Sequence, residues 1–556
     1  VLYQEILQAQ PRHCEALHML GIAAGQRGDG QAAVALLNQA IAINPDRAAT
    51  YADRGITFHS LGRLPEALAS FDQALARQPD YVEALICRGV VLQTLKRPEE
   101  ALASFDRALA LQPGRAEALY GRGLALQTLT RLPEALASYD QSLAVRPDHA
   151  QALHDRGLVL RDLKRMDEAV ASFDRALALR PDYPELMGTW LHTRMMACDW
   201  TGLDAAYARL AAGIDTGKRI SPPFVLTATP LSLQARRRCA EIYVQHKYPP
   251  VGVSPGRGPQ APHNRLRLGY FSADFRRHAV GYLTVGMFEA HDRSRFELIA
   301  FAFGPPARGA MRARIAAAFD QFIEVEDRSD ADVALLAREL EIDIAVDLMG
   351  FTTNSRTGIF ARRAAPLQVS FLGYTGTMGT DYIDYLIADT TVIPREDVRH
   401  YAEKIAYLPD TYWPFDSRLG VAERQFTRQE VGLPEQGFVF CCFNNNWKIT
   451  PGVFDIWMRL PKRIEGSVLW LLEDNPAAGR NLGAEAGKRG IAAERPVFAP
   501  RMNLPEHLAR HRLADLFLDT LPYNAHTTAS DALWVGVPLL TRVGETFPGR
   551  VAASLL

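Results

Sequence analysis

The fold class the sequence predicts is an α-helical repeat array followed by two α/β domains, and three observations predict it. Proline recurs at a step of 34 residues, at Pro11, Pro45, Pro79, Pro113, Pro147 and Pro181. Beyond Asn264, short apolar runs of strand length alternate with helical segments. Between these regions, 251–264 is dense in Gly and Pro and reads as a linker.

The array comes first. Glycine keeps the 34-residue step at Gly21, Gly55, Gly89, Gly123 and Gly157, and alanine keeps it at Ala33, Ala67, Ala101, Ala135 and Ala169. Four residues after each alanine stands a large side chain: Leu37, Phe71, Phe105, Tyr139 or Phe173. Small residues let two helices cross closely, the large one fills the hole, and proline ends the second helix. The unit is a helix–turn–helix resembling the tetratricopeptide repeat, over residues 1–183. Such arrays stack into a superhelix whose concave face binds extended peptides, which implies a protein partner. Arg54, Arg88, Arg122 and Arg156 hold one position in four successive repeats. They either form a cationic ladder for a threaded polypeptide or pair between repeats with acids such as Asp53 and Asp155.

A helical connector with its linker occupies 184–264. Strands are then expected at 266–272, 296–303, 322–326, 342–348, 367–373 and 385–388, and in a second series at 438–443, 468–472, 496–499, 516–521 and 539–543. Nearly all are continuously apolar, as strands buried on both faces are. This gives two Rossmann-like, doubly wound domains, 265–410 and 411–556, joined through an aperiodic stretch at 405–424. In such sheets ligands bind at the carboxyl ends of the strands.

The suggestive loops fall at those ends. In 519–540 a strand gives way to a loop with His526, Thr527 and Thr528, and Thr528 with Asp531 forms a capping box opening a helix at 529–534. Two hydroxyls, an imidazole and free N–H groups at a helix N-terminus suit a phosphate, although Ser and Thr also favour helix caps without any ligand. His278 ends the loop after the first strand. Gly373 and Gly376 lie in GYTGTMGT after the fifth expected strand, where glycines permit close approach of a ligand. Asn445 and Lys448 follow the first strand of the second series. Each has an ordinary structural explanation alone; their gathering at sheet edges points to one site.

Composition narrows the classes. Lys and Arg number 62 against 63 acidic residues, a formal charge of −1, which gives no electrostatic case for nucleic acid. No apolar run reaches the ~18 residues of a membrane span, and the first residues lack a signal-peptide layout, so a cytoplasmic location is expected. The six cysteines fit no metal-ligand spacing. Asp330 and Asp332 match an Asp-x-Asp metal pattern, but Ser329 beside them makes a helix cap the expected use. Lys448 and the helix terminus supply the positive charge that a diphosphate leaving group needs.

Tetratricopeptide repeats followed by LGYFSADF, PLQVSFLGYTGTMGTDYIDYLIAD, FNNNWKITP, HLARHRLADLFLDTLPYNAHTTASDALWVGVP and GETFPGRVAASLL closely resemble the protein O-GlcNAc transferase family. The resemblance implies a GT-B fold, UDP-N-acetylglucosamine as donor, inversion at the anomeric carbon, Ser or Thr hydroxyls of proteins as acceptors, and no metal. It implies His278 as general base or acceptor-side group and Lys448 as the diphosphate holder. It makes His526, Thr527 and Thr528 the β-phosphate loop, Asp531 the ribose contact, and His507 and Arg510 the neighbours of uracil.

The chain also departs from the family. Asp343 stands where the animal enzymes carry a second active-site histidine, and Met19, Asp53, Cys87, Gly121 and Asp155 stand where their asparagines line the superhelix. Relatives continue past Leu556, so further helices of the last domain are expected beyond it. Related readings keep the fold and change the chemistry: a GDP-fucose protein O-fucosyltransferase, an Asn glucosyltransferase, or a scaffold without turnover.

Overall fold

The computed structural model describes residues 2–252 and 264–556, in two compact units, Val1–Pro181 and Asp182–Leu556. The Gly/Pro stretch expected as a linker falls, apart from its ends, outside the described residues.

The first unit holds α1 (Leu2–Ala9) and five helix pairs: α2 (Cys14–Gln26) with α3 (Gly30–Ile43), α4 (Ala48–Ser60) with α5 (Leu64–Arg77), α6 (Val82–Thr94) with α7 (Pro98–Leu111), α8 (Ala116–Thr128) with α9 (Leu132–Val145), and α10 (Ala150–Asp162) with α11 (Met166–Leu179). The periodic residues explain the pairing. A Cβ added at Gly89 would sit 2.6 Å from the Phe105 ring, and one at Gly55 would sit 2.8 Å from Phe71. Phe105 is fully buried there, which stabilises each pair by about 1.5–3 kcal/mol. Each second helix stops just short of its proline, α3 before Pro45 and α5 before Pro79, because the residue preceding proline is driven out of the helical region. First helices of successive repeats pack on one another, as Gln93 Nε2 donating to the Gly121 carbonyl at 2.9 Å illustrates, so they line the inner face.

The arginine ladder does not face that inner side. Arg88 donates to Asp72 and Ser104 at 2.7 Å each, Arg122 to Asp106 at 2.6 Å and Ser138 at 2.7 Å, and Arg156 to Asp140 at 2.5 Å and Ser172 at 3.4 Å. Each guanidinium thus ties the second helices of two neighbouring repeats. Pairing between repeats is the correct reading, but the partners are acids on second helices and not Asp53 or Asp155. Asp53 meets His18, and Asp155 meets Tyr120 and His154.

The second unit opens with α12 (Leu186–Met196), α13 (Leu203–Asp215), α14 (Pro223–Leu226) and α15 (Leu233–Lys247). Among the described residues two parallel sheets follow. The first has β1 (Leu266–Ser272), α16 (Ala279–Ala290), β2 (Phe296–Ala302), α17 (Ala310–Ala317), β3 (Gln321–Glu324), α18 (Asp330–Glu339), β4 (Ile344–Asp347), α19 (Thr357–Phe360), β5 (Leu367–Ser370), β6 (Tyr385–Ala388) and β7 (Lys404–Tyr407), with strand order β3-β2-β1-β4-β5-β6-β7. The second has β8 (Val439–Cys442), α20 (Pro451–Trp457), α21 (Leu460–Arg463), β9 (Val468–Leu472), α22 (Pro476–Lys488), β10 (Pro496–Ala499), α23 (Leu504–His511), β11 (Leu516–Leu518), α24 (Thr527–Trp534) and β12 (Leu539–Leu540), in the order β10-β9-β8-β11-β12. A last short helix, α25 (Val551–Leu555), closes the chain.

Successive residues of β1 feed opposite cores, Tyr270 one and Phe271 the other, which explains the unbroken apolar runs. β7 runs into the start of the stretch expected to be an aperiodic joint. It is a four-residue edge strand with no fully buried residue, too short and too exposed to give an apolar run. Phe547 and Val551 pack into the first sheet's core with Tyr412 and Trp413, so the end of the chain crosses back to that sheet. The connector helices hold the second sheet through Asn475 and Asn481, which donate to the carbonyls of Met196 at 2.9 Å and Ala197 at 2.8 Å.

Candidate active site

Strand order reverses direction at β1/β4 in the first sheet and at β8/β11 in the second, where α/β sheets bind ligands. A cavity of about 440 Å³ opens there. Its walls include His278, Gly373, Asn445, Lys448, His507, Arg510, His526, Thr527, Thr528 and Asp531. Gly376 is not in its lining, because the loop after β5 turns Gly373 and Thr375 toward the space instead. A Cβ at Gly373 would lie 2.0 Å from the Leu348 carbonyl oxygen, so the missing side chain also lets two chain segments approach closely there.

His278 occupies the N-cap of α16, where its Nδ1 lies 3.3 Å from Asp274 Oδ2 and 3.4 Å from the Val280 N–H. Burial pulls its pKa below the ordinary histidine value, with Asp274 pulling the other way and Arg276 adding to the depression. A neutral imidazole facing an acceptor is able to take a proton.

Lys448 is buried across the cavity. Its Nζ donates to the Asn524 carbonyl at 2.9 Å and stands 4.0 Å from the Tyr523 ring centroid. Burial drives its pKa down to about 7 against the pull of Asp519, whose own pKa burial raises to about 6. Among the described residues no carboxylate bonds to its Nζ, and a diphosphate would supply an anion there.

At the start of α24 the expected capping box is absent. His526 is the N-cap without a side-chain cap bond, and Thr528 Oγ1 donates to Asn444 Oδ1 on the β8 loop. The helix starts at Thr527, two residues earlier than expected, so Thr528 is already helical and its hydroxyl turns to Asn444, itself tied to Thr520 at 2.8 Å. The N–H groups of Thr527 and Thr528 therefore meet no acceptor among the described residues, and they remain available to an anion. His526 Nε2 lies 3.1 Å from the Pro548 carbonyl, and burial keeps the ring neutral. Asp531 is buried with no side-chain hydrogen bond among the described residues, and burial raises its pKa to about 7. It is suited to a hydroxyl-bearing ligand.

Arg510 donates through Nε and Nη2 to His507 Nδ1, at 3.1 and 2.8 Å, and through Nη1 to the Pro500 carbonyl at 2.6 Å. Burial lowers His507 to about 3 and Arg510 to about 10. With Nδ1 accepting, the His507 proton sits on Nε2.

Two other sequence features lie outside the cavity. Asp343 accepts from the Arg267 N–H at 2.8 Å, just before β4, at the opposite end of that strand from the cavity. Ser329 and Asp332 form a reciprocal capping box on α18, and Asp330 pairs with Arg356 at 2.7 Å, so the Asp-x-Asp pair serves structure. The sequence did not single out Tyr523 beneath Lys448, Asn444 behind Thr528, or Arg501, which reaches Asn445 at 3.0 Å. Tyr523 carried the one available signal, an aromatic three residues before His526 in the same loop.

A family model described as glycosyl transferase family 41 matches residues 239–424 and 420–556. The chain belongs to that family. Tetratricopeptide repeat models match 18–82, 52–116, 87–137 and 120–184. Among relatives of this family 41 chain, a protein named as a probable UDP-N-acetylglucosamine–peptide N-acetylglucosaminyltransferase SEC of Arabidopsis thaliana is 33% identical over 387 residues, 66% of this chain and 39% of that protein. A UDP-N-acetylglucosamine–peptide N-acetylglucosaminyltransferase of Caenorhabditis elegans is 25% identical over 404 residues, 52% of this chain and 35% of that one. A lysine-to-methionine mutant of a Thermobaculum terrenum O-GlcNAc transferase superposes with a TM-score of 0.63 at 29% identity, covering 85% of each chain. The family 41 chain spans less than two-fifths of the length of the curated relatives it matches.

Proposed function

We propose that this chain transfers N-acetylglucosamine from UDP-N-acetylglucosamine to Ser or Thr hydroxyls of proteins, with inversion at the anomeric carbon. The observation that carries the reading is the pairing, in one cavity, of a proton acceptor from the first sheet with an anion cradle from the second. The acceptor hydroxyl attacks the anomeric carbon from the face opposite the diphosphate. The new C–O bond forms as the bond to phosphate breaks, and His278 Nε2 takes the hydroxyl proton. Lys448 and the Thr527/Thr528 N–H groups receive the charge that develops on the departing diphosphate, so this chain's own residues neutralise it. Asp531 takes a ribose hydroxyl, and His507, presenting Nε2–H with Arg510 behind it, faces a base carbonyl. The donor named for the plant and worm relatives supports the choice of nucleotide sugar.

The test is calorimetric titration of UDP and then GDP, beside a Lys448→Ala variant, followed by transfer assays with UDP-N-acetylglucosamine and GDP-fucose. UDP binding that weakens at least tenfold in the variant, with transfer from the UDP sugar, is the expected result. Preference for GDP overturns the donor. Nucleotide binding without transfer to any protein overturns the catalytic reading.

A further inference from the structure

The inner face of the repeat array carries an aliphatic stripe. His18 meets Asp53, and Tyr120 meets Asp155, each pair bridging first helices of adjacent repeats. Residues three or four further along share their face. At that place stand Ile22, Ile56, Val90, Leu124 and Leu158, one per repeat, each at least partly exposed, with Ile56 47% and Val90 39% exposed. Apolar side chains left open in five consecutive repeats form a continuous seam.

Charge on this face is net acidic, and Arg161, one turn beyond Leu158 on the same helix, pairs with Asp162 at 3.7 Å. Asp53, Asp155 and, one turn beyond the stripe, Asp162 lie beside it, and no lysine or arginine hydrogen bonds to Asp53 or Asp155 among the described residues. The ladder arginines cannot compensate, because they are committed to the second helices.

Resting on the reading that the acceptor is a protein, we propose that this face binds an extended, basic segment of the acceptor carrying an aliphatic side chain at every third position. Packed helices stand about 8–10 Å apart. An extended or polyproline-type chain advances about 3.1–3.4 Å per residue, so three residues span one helix-to-helix step. Aliphatic residues at that interval meet the stripe in register, and Lys or Arg between them meets the aspartates. The asparagine positions of the animal enzymes are here Met19, Asp53, Cys87, Gly121 and Asp155, so recognition passes from backbone amides to side-chain hydrophobicity and charge.

The test is fluorescence anisotropy on the full chain with a labelled 15-residue probe repeating Leu-Lys-Ser, a second repeating Leu-Glu-Ser, and the double variant Ile56→Asn/Val90→Asn. The lysine probe binding at least tenfold tighter than the glutamate probe, and at least tenfold weaker to the variant, is the expected result. Equal binding of the two probes, or of the lysine probe to both proteins, overturns the inference. The variant's UDP titration and helical circular dichroism must match the parent, which separates loss of the groove from loss of the fold. Because binding is read without turnover, a chain that holds the probe but transfers no sugar retains the groove and loses the transferase reading.

Discussion

Asp274 Oδ2 lies 3.3 Å from Nδ1 of His278, on the same loop after β1. Nδ1 also lies 3.4 Å from the Val280 N–H, and one ring nitrogen cannot donate to a carboxylate while accepting from an amide. The charge-assisted bond is the stronger, so the proton sits on Nδ1 and the lone pair on Nε2. Asp274→Asn removes that bias and leaves the cavity's shape. Turnover is expected to fall at least tenfold with UDP affinity unchanged. Because the Asp274 charge raises the His278 pKa, the acid limb of the pH–rate profile moves to lower pH in the variant. A profile identical to the parent's would remove Asp274 from the mechanism.

Lys448 titrates near 7 without ligand, so about half of it is neutral at that pH. A diphosphate favours the charged form, and UDP binding above pH 7 must therefore take up a proton. Affinity is expected to weaken by up to about tenfold per pH unit above 7. Calorimetry at pH 8 in buffers of different ionisation enthalpy checks this: the uptake should vanish in Lys448→Met, whose turnover should drop more than tenfold.

Asp531, raised to about 7 by burial, has the opposite consequence for stability. Its folded pKa exceeds the unfolded value of about 3.9, so ionisation adds no penalty below pH 4, opposes folding increasingly as pH rises from about 4 to about 7, and costs a constant amount above that. Asp531→Asn should therefore raise the melting temperature of the second unit more at pH 8 than at pH 5. The gain is bounded by about 4 kcal/mol, and a ligand that bonds the carboxylate should erase it.

Within the array, Phe105→Ala should cost about 3–5 kcal/mol through the cavity it leaves beneath Gly89 and Gly121. Gly89→Ala forces the same ring aside and should cost about 1–3 kcal/mol. Urea denaturation followed by circular dichroism measures both. UDP binding, which belongs to the other unit, serves as the unchanged control.

The array was legible because each repeat reuses one packing solution, and Gly89 against Phe105 writes it at a fixed spacing. The parallel strands were legible as apolar runs because both faces of each sheet are buried. β7 was not, since an edge strand of four partly exposed residues has no such run. Lys448, His278 and the His526 loop could be picked out because strand ends are where ligands sit. The direction of Thr528 could not: whether a hydroxyl caps its own helix or reaches Asn444, 84 residues earlier, is decided by tertiary contact. His507 and Arg510 came from family likeness alone, their bond being an i,i+3 pair that any helix surface could carry. The capping box failed because local spacing permits it while the helix begins two residues earlier and the same hydroxyl is used elsewhere.

The seams between repeats are not equal. Three of the four arginines grip a carboxylate, at Asp72, Asp106 and Asp140, whereas Arg54 finds Asn38 at 2.8 Å and Gln73 at 2.6 Å. Ionic strength therefore weakens the three arginine–carboxylate contacts and spares those of Arg54, while the first joint keeps an ion pair of its own between Arg47 and Glu15.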